Sequence, residues 1–172
     1  MKILIVDDHP LFREGVGMLL SQYDASMQTA FASTIAEAIT AAQENAEIDL
    51  ILLDLGLPDG KGLEGLERLR ESCYSIPVVI LSAADEPRLI LDCLDRGAMG
   101  FLTKSSPTEL FRAALKLVVL GSVYIPPEAL STIAGTQGVP QRDRPAKPSL
   151  VFPARPRSSR TPAPALRARG NA

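Results

Sequence analysis

Residues 51–60 read Ile51-Leu52-Leu53-Asp54-Leu55-Gly56-Leu57-Pro58-Asp59-Gly60, and the fold turns on how that stretch is parsed. An apolar run stops at a single carboxylate and then breaks into Leu-Pro-Asp-Gly. A short, continuous apolar run bounded by turn residues fits a strand covered on both faces, the habit of a parallel sheet. Asp54 then falls at the carboxyl end of that strand, where open α/β sheets gather their ligands. Asp59-Gly60 is read as turn chemistry.

Working outward, three other runs stop in the same way. Lys2 to Val6 ends at Asp7-Asp8, Pro77 to Leu81 at Ser82, and Gly100 to Thr103 at Lys104. Met27 to Phe31 alternates weakly and reads as an edge strand. Helical spacing fills the gaps, beginning with Phe12, Val16, Leu19 and Leu20 on one face. Thr34-x-x-Glu37 is a capping box ahead of Ile35, Ala38, Ile39 and Ala42, and Leu63, Leu66 and Leu69 form a third stripe. Pro87 opens a fourth helix and Gly97 closes it. Ser106-Pro107-Thr108-Glu109 joins a capping box to a first-turn Pro before Leu110, Ala114, Leu117 and Val118. The expected architecture is α/β: five β-α units over residues 1–120 in a doubly wound, five-stranded parallel sheet.

Right-handed crossovers bring the strand ends to one edge. Asp7, Asp8 and Asp54 would crowd there, and such a cluster repels itself unless a cation sits in it. Oxygen-only ligands favour a hard ion such as Mg²⁺. Lys104 and Ser82 facing the cluster suit an anion with several acceptor oxygens, such as a phosphoryl group. Taken singly these residues have plainer readings: a turn cap for Asp54, a helix N-terminal pair for Asp7-Asp8, a turn hydroxyl for Ser82, a solvated lysine for Lys104. Their recurrence at successive strand ends is what argues for a site. His9, the only histidine, is expected to do nothing special beside Pro10.

Bulk properties bound the alternatives. Residues 138–172 hold eight Lys and Arg against one acid, Asp143, a net of +7, which leaves the first 137 residues at −9 within a total of −2. This basic Pro/Arg/Ala-rich tail has no sustained periodicity and is expected to be disordered, with residues 121–137 as a linker that has room for a short helix. Binding of nucleic acid through its charge alone would be non-specific and salt-sensitive. Cys73 and Cys93 form no C-x-x-C pair and read as two reduced thiols. No apolar stretch reaches the length of a membrane span and the opening run is too short for a signal segment, so a soluble cytoplasmic protein is expected. No Gly-rich loop follows any strand, which argues against nucleotide binding.

Together, Asp7-Asp8, Leu53-Asp54-Leu55, Leu57-Pro58-Asp59-Gly60, Leu81-Ser82-Ala83 and Gly97-Ala98-x-Gly100-Phe101-Leu102-x-Lys104 resemble a two-component response-regulator receiver domain. The likeness covers about residues 1–120 and is greatest to the branch whose receivers precede a LuxR-type helix-turn-helix. Val123-Tyr124-Ile125-Pro126-Pro127 is similar to how that branch leaves its receiver. The resemblance implies a flavodoxin-like sheet of order 2-1-3-4-5. It implies Asp54 as phosphoacceptor from a sensor histidine kinase, with Mg²⁺ (or Mn²⁺) held by Asp7, Asp8, Asp54 and the Gly56 backbone carbonyl. Lys104 would pair with the phosphoryl oxygens, Ser82 would turn inward to them, and Phe101 would follow.

Phe101 stands where Tyr is commoner, and Gly56 brings no side chain. The implied output is phosphorylation-dependent homodimerisation or partner contact through Pro87 to Leu120. DNA would be a partner only through an output domain, and no membrane is implied. A helix-turn-helix needs roughly 50 to 60 periodic positions, whereas 35 Pro-interrupted ones follow Thr136-Gln137. A stand-alone receiver acting by protein contact is therefore one reading. A truncated or frame-shifted transcription factor is another, since Arg, Pro and Ala all have GC-rich codons. The competing class is a phosphatase or phosphotransferase on the same fold. That class needs a second acid two residues after the nucleophile, where this chain has Gly56, so the expected protein is not an enzyme beyond promoting its own phosphorylation and dephosphorylation.

Overall fold

In the computed structural model, which describes residues 1–127 and 129–130, each apolar run lies in a strand and each periodic stretch in a helix. The order is β1 (Lys2–Val6), α1 (Pro10–Tyr23), β2 (Gln28–Ala32), α2 (Ile35–Glu44), β3 (Ile48–Asp54), α3 (Leu63–Ser72), β4 (Val78–Ser82), α4 (Pro87–Asp95), β5 (Gly100–Thr103) and α5 (Thr108–Val119). The strands form one parallel sheet in the order β2-β1-β3-β4-β5, the flavodoxin-like arrangement, with β2 at an edge.

Period-two alternation along the strands divides the core into two layers. Leu4, Val6, Ile51, Leu53, Val78, Ile80 and Phe101 face α2, α3 and α4 through Ile35, Ala38, Leu66, Leu69, Ile90 and Cys93. Ile3, Ile5, Leu50, Leu52, Val79, Leu81 and Leu102 face α1 and α5 through Val16, Leu20, Phe111, Ala114, Leu115 and Val118. Each fully buried aliphatic side chain contributes about 1.5–3 kcal/mol, so neither layer tolerates a slip of register. The register pairs Val6 with Leu53 and Asp54 with Leu81, then Ser82 with Thr103. Asp7, Asp54 and Ser82 therefore leave the sheet within one residue of each other on three adjacent strands.

The helix ends depart from the sequence reading in two places. Thr34 Oγ1 accepts the Glu37 N–H at 3.1 Å, but Glu37 reaches back to the N–H of Ser33 (2.7 Å), one residue earlier than a capping box requires. At α5 the box does not form. Pro107 takes the cap position with extended ψ (141°), and Ser106 instead donates its N–H to the Thr103 carbonyl at 3.1 Å, which closes the turn after β5. Gly97 ends α4 at φ +90°, as its place after the last turn requires.

The chain after α5 runs back along the open side of β5. Phe101 N–H donates to the Tyr124 carbonyl at 3.1 Å, and a Cβ at Gly100 would stand 3.1 Å from that same oxygen. The edge of β5 is thereby covered over part of its length. Beyond it Pro127, Ala129 and Leu130 are helical, with Ala129 fully buried. The expectation of a disordered tail at 138–172 lies outside the described residues. Among the described residues no helix is long and apolar enough to cross a membrane.

Candidate functional site

Asp54 is the last residue of β3, Asp7 the first after β1 and Lys104 the first after β5, so the parallel register delivers all three to one sheet edge. Asp7 is fully buried and Asp54 5% exposed. Buried carboxylates are costly without a partner, and the partner is Lys104. Its Nζ lies 2.7 Å from Asp7 Oδ2 and 2.9 Å from Asp54 Oδ2, bridging the two acids. Among the described residues, no hydrogen bond apart from that ion pair reaches Asp7 Oδ2. The ammonium also lies 4.7 Å from the centre of the Phe12 ring, which is held edge-on by Phe111 at 6.5 Å. A cation over an aromatic face is attracted to it, so Phe12 helps hold Lys104 over the acids.

Asp8 is the exposed member of the cluster. Its Oδ1 lies 2.7 Å from His9 Nδ1, while Asp7 Oδ1 accepts the His9 backbone N–H at 2.8 Å. Ligand atoms from Asp7, Asp8, His9 and Asp54 all lie within 4.8 Å of one another. Three carboxylates against one ammonium leave a formal charge of −2 among these four groups, and Asp7 Oδ2 has a single partner among the described residues in a dry setting. That donor set fits a hard divalent cation entering from the Asp8 side. Gly56, exposed in the following loop, lies close against the same acid: a Cβ there would stand 3.1 Å from Asp54 Oδ2.

Ser82 is buried at the same edge, but its hydroxyl accepts the Ala84 N–H at 3.1 Å and makes no hydrogen bond to Asp54. Its carbonyl accepts the Lys104 N–H at 2.7 Å, fixing the start of the loop that carries the lysine. Phe101 is fully buried, packed in the layer beneath α3 and α4. The structure therefore brings Asp7, Asp8, Asp54 and Lys104 together, with Ser82 turned toward its own loop and Phe101 in the core.

Four residues in and around these loops are poorly marked in the sequence. By spacing alone Phe12 is a helix-face apolar residue, and His9 an idle neighbour of Pro10. Asp59 caps α2 from another loop: its Oδ1 accepts the Ile35 N–H at 2.9 Å and its Oδ2 the Ala36 N–H at 3.0 Å. Partial burial alone would raise its pKa; the backbone N–H groups of Ile35 and Ala36, with Arg68 nearby, outweigh this and hold the carboxyl below 3.8. Arg13 donates to the Asp7 carbonyl and to Ser33 Oγ (3.0 Å). A capping partner 24 positions away leaves no local spacing signal; an arginine one turn into a helix behind two acids is a weak one.

A family model described as the response regulator receiver domain matches residues 3–116. Over 135 residues the chain is 38% identical to the glycerol metabolism activator of Pseudomonas putida, a match covering 78% of this chain and 61% of that protein. Over 131 residues it is 37% identical to the nitrate/nitrite response regulator protein NarL of Escherichia coli K12, covering 76% and 60%. The chain thus spans about three fifths of the length of these curated relatives. Among solved structures, a LuxR family DNA-binding response regulator from Silicibacter pomeroyi superposes with a TM-score of 0.64 at 31% identity, over 75% of this chain and 98% of that one. A LuxR family two-component response regulator from Aurantimonas sp. SI85-9A1 gives 0.69 at 26%, over 79% and 96%.

Proposed function

The chain belongs to the response-regulator receiver family, and from that membership we propose that Asp54 is the acceptor in phosphoryl transfer from the phosphohistidine of a sensor histidine kinase. The observation that carries this reading is the Lys104 ammonium bridging Asp7 and Asp54 at buried strand ends. A carboxylate Oδ of Asp54 attacks phosphorus, the P–N bond to the donor imidazole breaks, and the imidazole leaves with its electron pair and takes up a proton. Asp7, Asp8, Asp54 and the Gly56 carbonyl would hold Mg²⁺ (or Mn²⁺). The bound ion supplies neutralisation of the charge that builds on the phosphoryl oxygens.

Lys104, in contact with Asp54, would exchange a carboxylate contact for a phosphoryl one. Ser82, whose hydroxyl accepts the Ala84 N–H and keeps its own O–H to donate, would turn toward the new group as the local switch. Phe101, beside Ile80 on the neighbouring strand, would respond to it. The equilibrium so biased is read out at α4, β5 and α5 as homodimerisation or contact with an output partner. Contact with DNA and control of transcription would come only through an output domain. A cytoplasmic location follows from the partner kinase. A phosphatase or phosphotransferase is disfavoured by Gly56, which offers no second acid beside Asp54. Incubation with acetyl phosphate and Mg²⁺ should add one phosphoryl group to the wild-type chain and none to Asp54→Asn, with size-exclusion chromatography reporting any dimer. Equal uptake by both proteins would sink the assignment.

A further inference from the structure

Resting on that reading of the site, we propose that Arg13, Ser33 and Asp59 form one polar brace that sets the spacing between the loop carrying Asp7 and Asp8 and the loop carrying Gly56. Asp7 and Asp8 ride on the loop after β1, while Asp54 ends β3 and Gly56 rides on the loop that follows it. These loops come from adjacent strands, yet they are tied together through a third, the β2–α2 loop, which contributes no residue to the acid cluster. On one side Arg13 Nη1 donates both to the Asp7 carbonyl and to Ser33 Oγ. On the other, Asp59 accepts the N–H groups of Ile35 and Ala36, two and three residues beyond Ser33.

The Asp59 end is rigid. Arg68 donates to the Asp59 carbonyl, and Gly62 N–H donates to Leu55 O at 2.9 Å across the loop. Next to Asp59, Gly60 packs so closely that a Cβ there would meet Ile35 Cγ1 at 2.8 Å and Gly65 Cα at 2.9 Å. Gly56 lies three residues before Asp59 in this clamped loop. Anything that lets Asp59 leave α2 lets the Gly56 carbonyl shift against Asp7, Asp8 and the strand-held Asp54. A capping carboxylate alone would stabilise α2. One joined through Ser33 to an arginine on the Asp7 carbonyl positions the site. These are positioning residues, acting on bound cation and phosphoryl group through the loops rather than by contact.

The test is a coupling measurement, because Arg13 and Asp59 share no hydrogen bond or ion pair and act jointly only through Ser33 to Ala36. Mn²⁺ binding is followed by the electron paramagnetic resonance signal of the free ion. The proteins are wild type, Arg13→Ala, Ser33→Ala, Asp59→Asn, the Arg13→Ala/Asp59→Asn double variant and Asp54→Asn, with urea unfolding of each alongside. Each single change should weaken Mn²⁺ binding by about tenfold, the lower end for groups that orient metal ligands. The double variant should be no weaker than the weaker single. Two results overturn the brace: wild-type Mn²⁺ affinity in variants whose stability has fallen, or losses that multiply in the double variant. Wild type and Asp54→Asn binding Mn²⁺ equally, or neither binding it, would instead bring down the metal-site reading and the brace with it.

Discussion

Replacing Lys104 by Met removes the ammonium while keeping a stem of similar length over the Phe12 ring. The side chain is 15% exposed and lies against carboxylates that are 0% and 6% exposed. Removing one partner of such a buried pair costs about 3–5 kcal/mol, because the remaining charges stay dehydrated. Here the Asp8 side is open to water, with that side chain 37% exposed, so the lower end, about 3 kcal/mol, applies. That is a large share of the roughly 5–15 kcal/mol that holds a domain folded. The charge left among the four groups goes from −2 to −3, so a divalent cation should recover more stability in the variant than in wild type. Saturation at a hundred times the dissociation constant contributes about 2.7 kcal/mol, and tighter binding raises this. Urea unfolding of both proteins, in a chelator and in excess Mg²⁺, measures each quantity. The variant should lose about 3 kcal/mol without metal, and the gap should narrow with it. A variant within about 0.5 kcal/mol of wild type in chelator, the range of an ordinary surface change, or a gap that Mg²⁺ widens, would refute the bridging role.

Other expectations follow from single contacts. Asp59→Ala should cost about 1–2 kcal/mol at neutral pH, as loss of a helix cap does. Because the folded-state pKa lies below 3.8, this stabilisation is present above that value and is lost as pH falls through the folded pKa, so wild type and variant should converge in acid; a gap constant from neutral to strongly acidic pH speaks against the cap. Gly60→Ala drives a Cβ into Ile35 and the Gly65 backbone and should cost about 1–3 kcal/mol. Gly15→Ala, mid-helix with nothing within 4 Å, should gain up to about 1 kcal/mol; thermal melts of the pair compare them directly. Burial, then Asp92, pushes the Cys93 thiol up to about 11, and burial raises Cys73 as well. At pH 8 an aromatic disulfide reagent should label neither in the native protein and both in urea, and rapid native labelling would contradict this packing.

The sheet was legible because its strands are unusually plain. Ile51 to Leu53 or Val78 to Leu81 can be little other than a doubly covered strand, and the polar residue that ends each run marks where the core stops. Asp7, Asp54 and Lys104 were found by that rule alone. What stayed hidden depends on three-dimensional proximity between distant segments. Asp59 looked like a turn residue because its partners, Ile35 and Ala36, lie in another helix. Phe12 shows its position over Lys104 only once α1 and the loop after β5 share an edge. Ser106 satisfied a local pattern that Pro107 overrode by taking the cap position itself. Local rules thus read element type well and read contacts between loops poorly.

The most direct test of the whole account is to locate the phosphoryl group. Wild-type protein treated with acetyl phosphate and Mg²⁺ is reduced with borohydride, which converts an aspartyl phosphate to homoserine, and its peptides are sequenced by mass. Homoserine at position 54 and nowhere else is the predicted result. Homoserine at Asp7, Asp8 or Asp59, or unmodified Asp54 in a protein that carries phosphate, would contradict it.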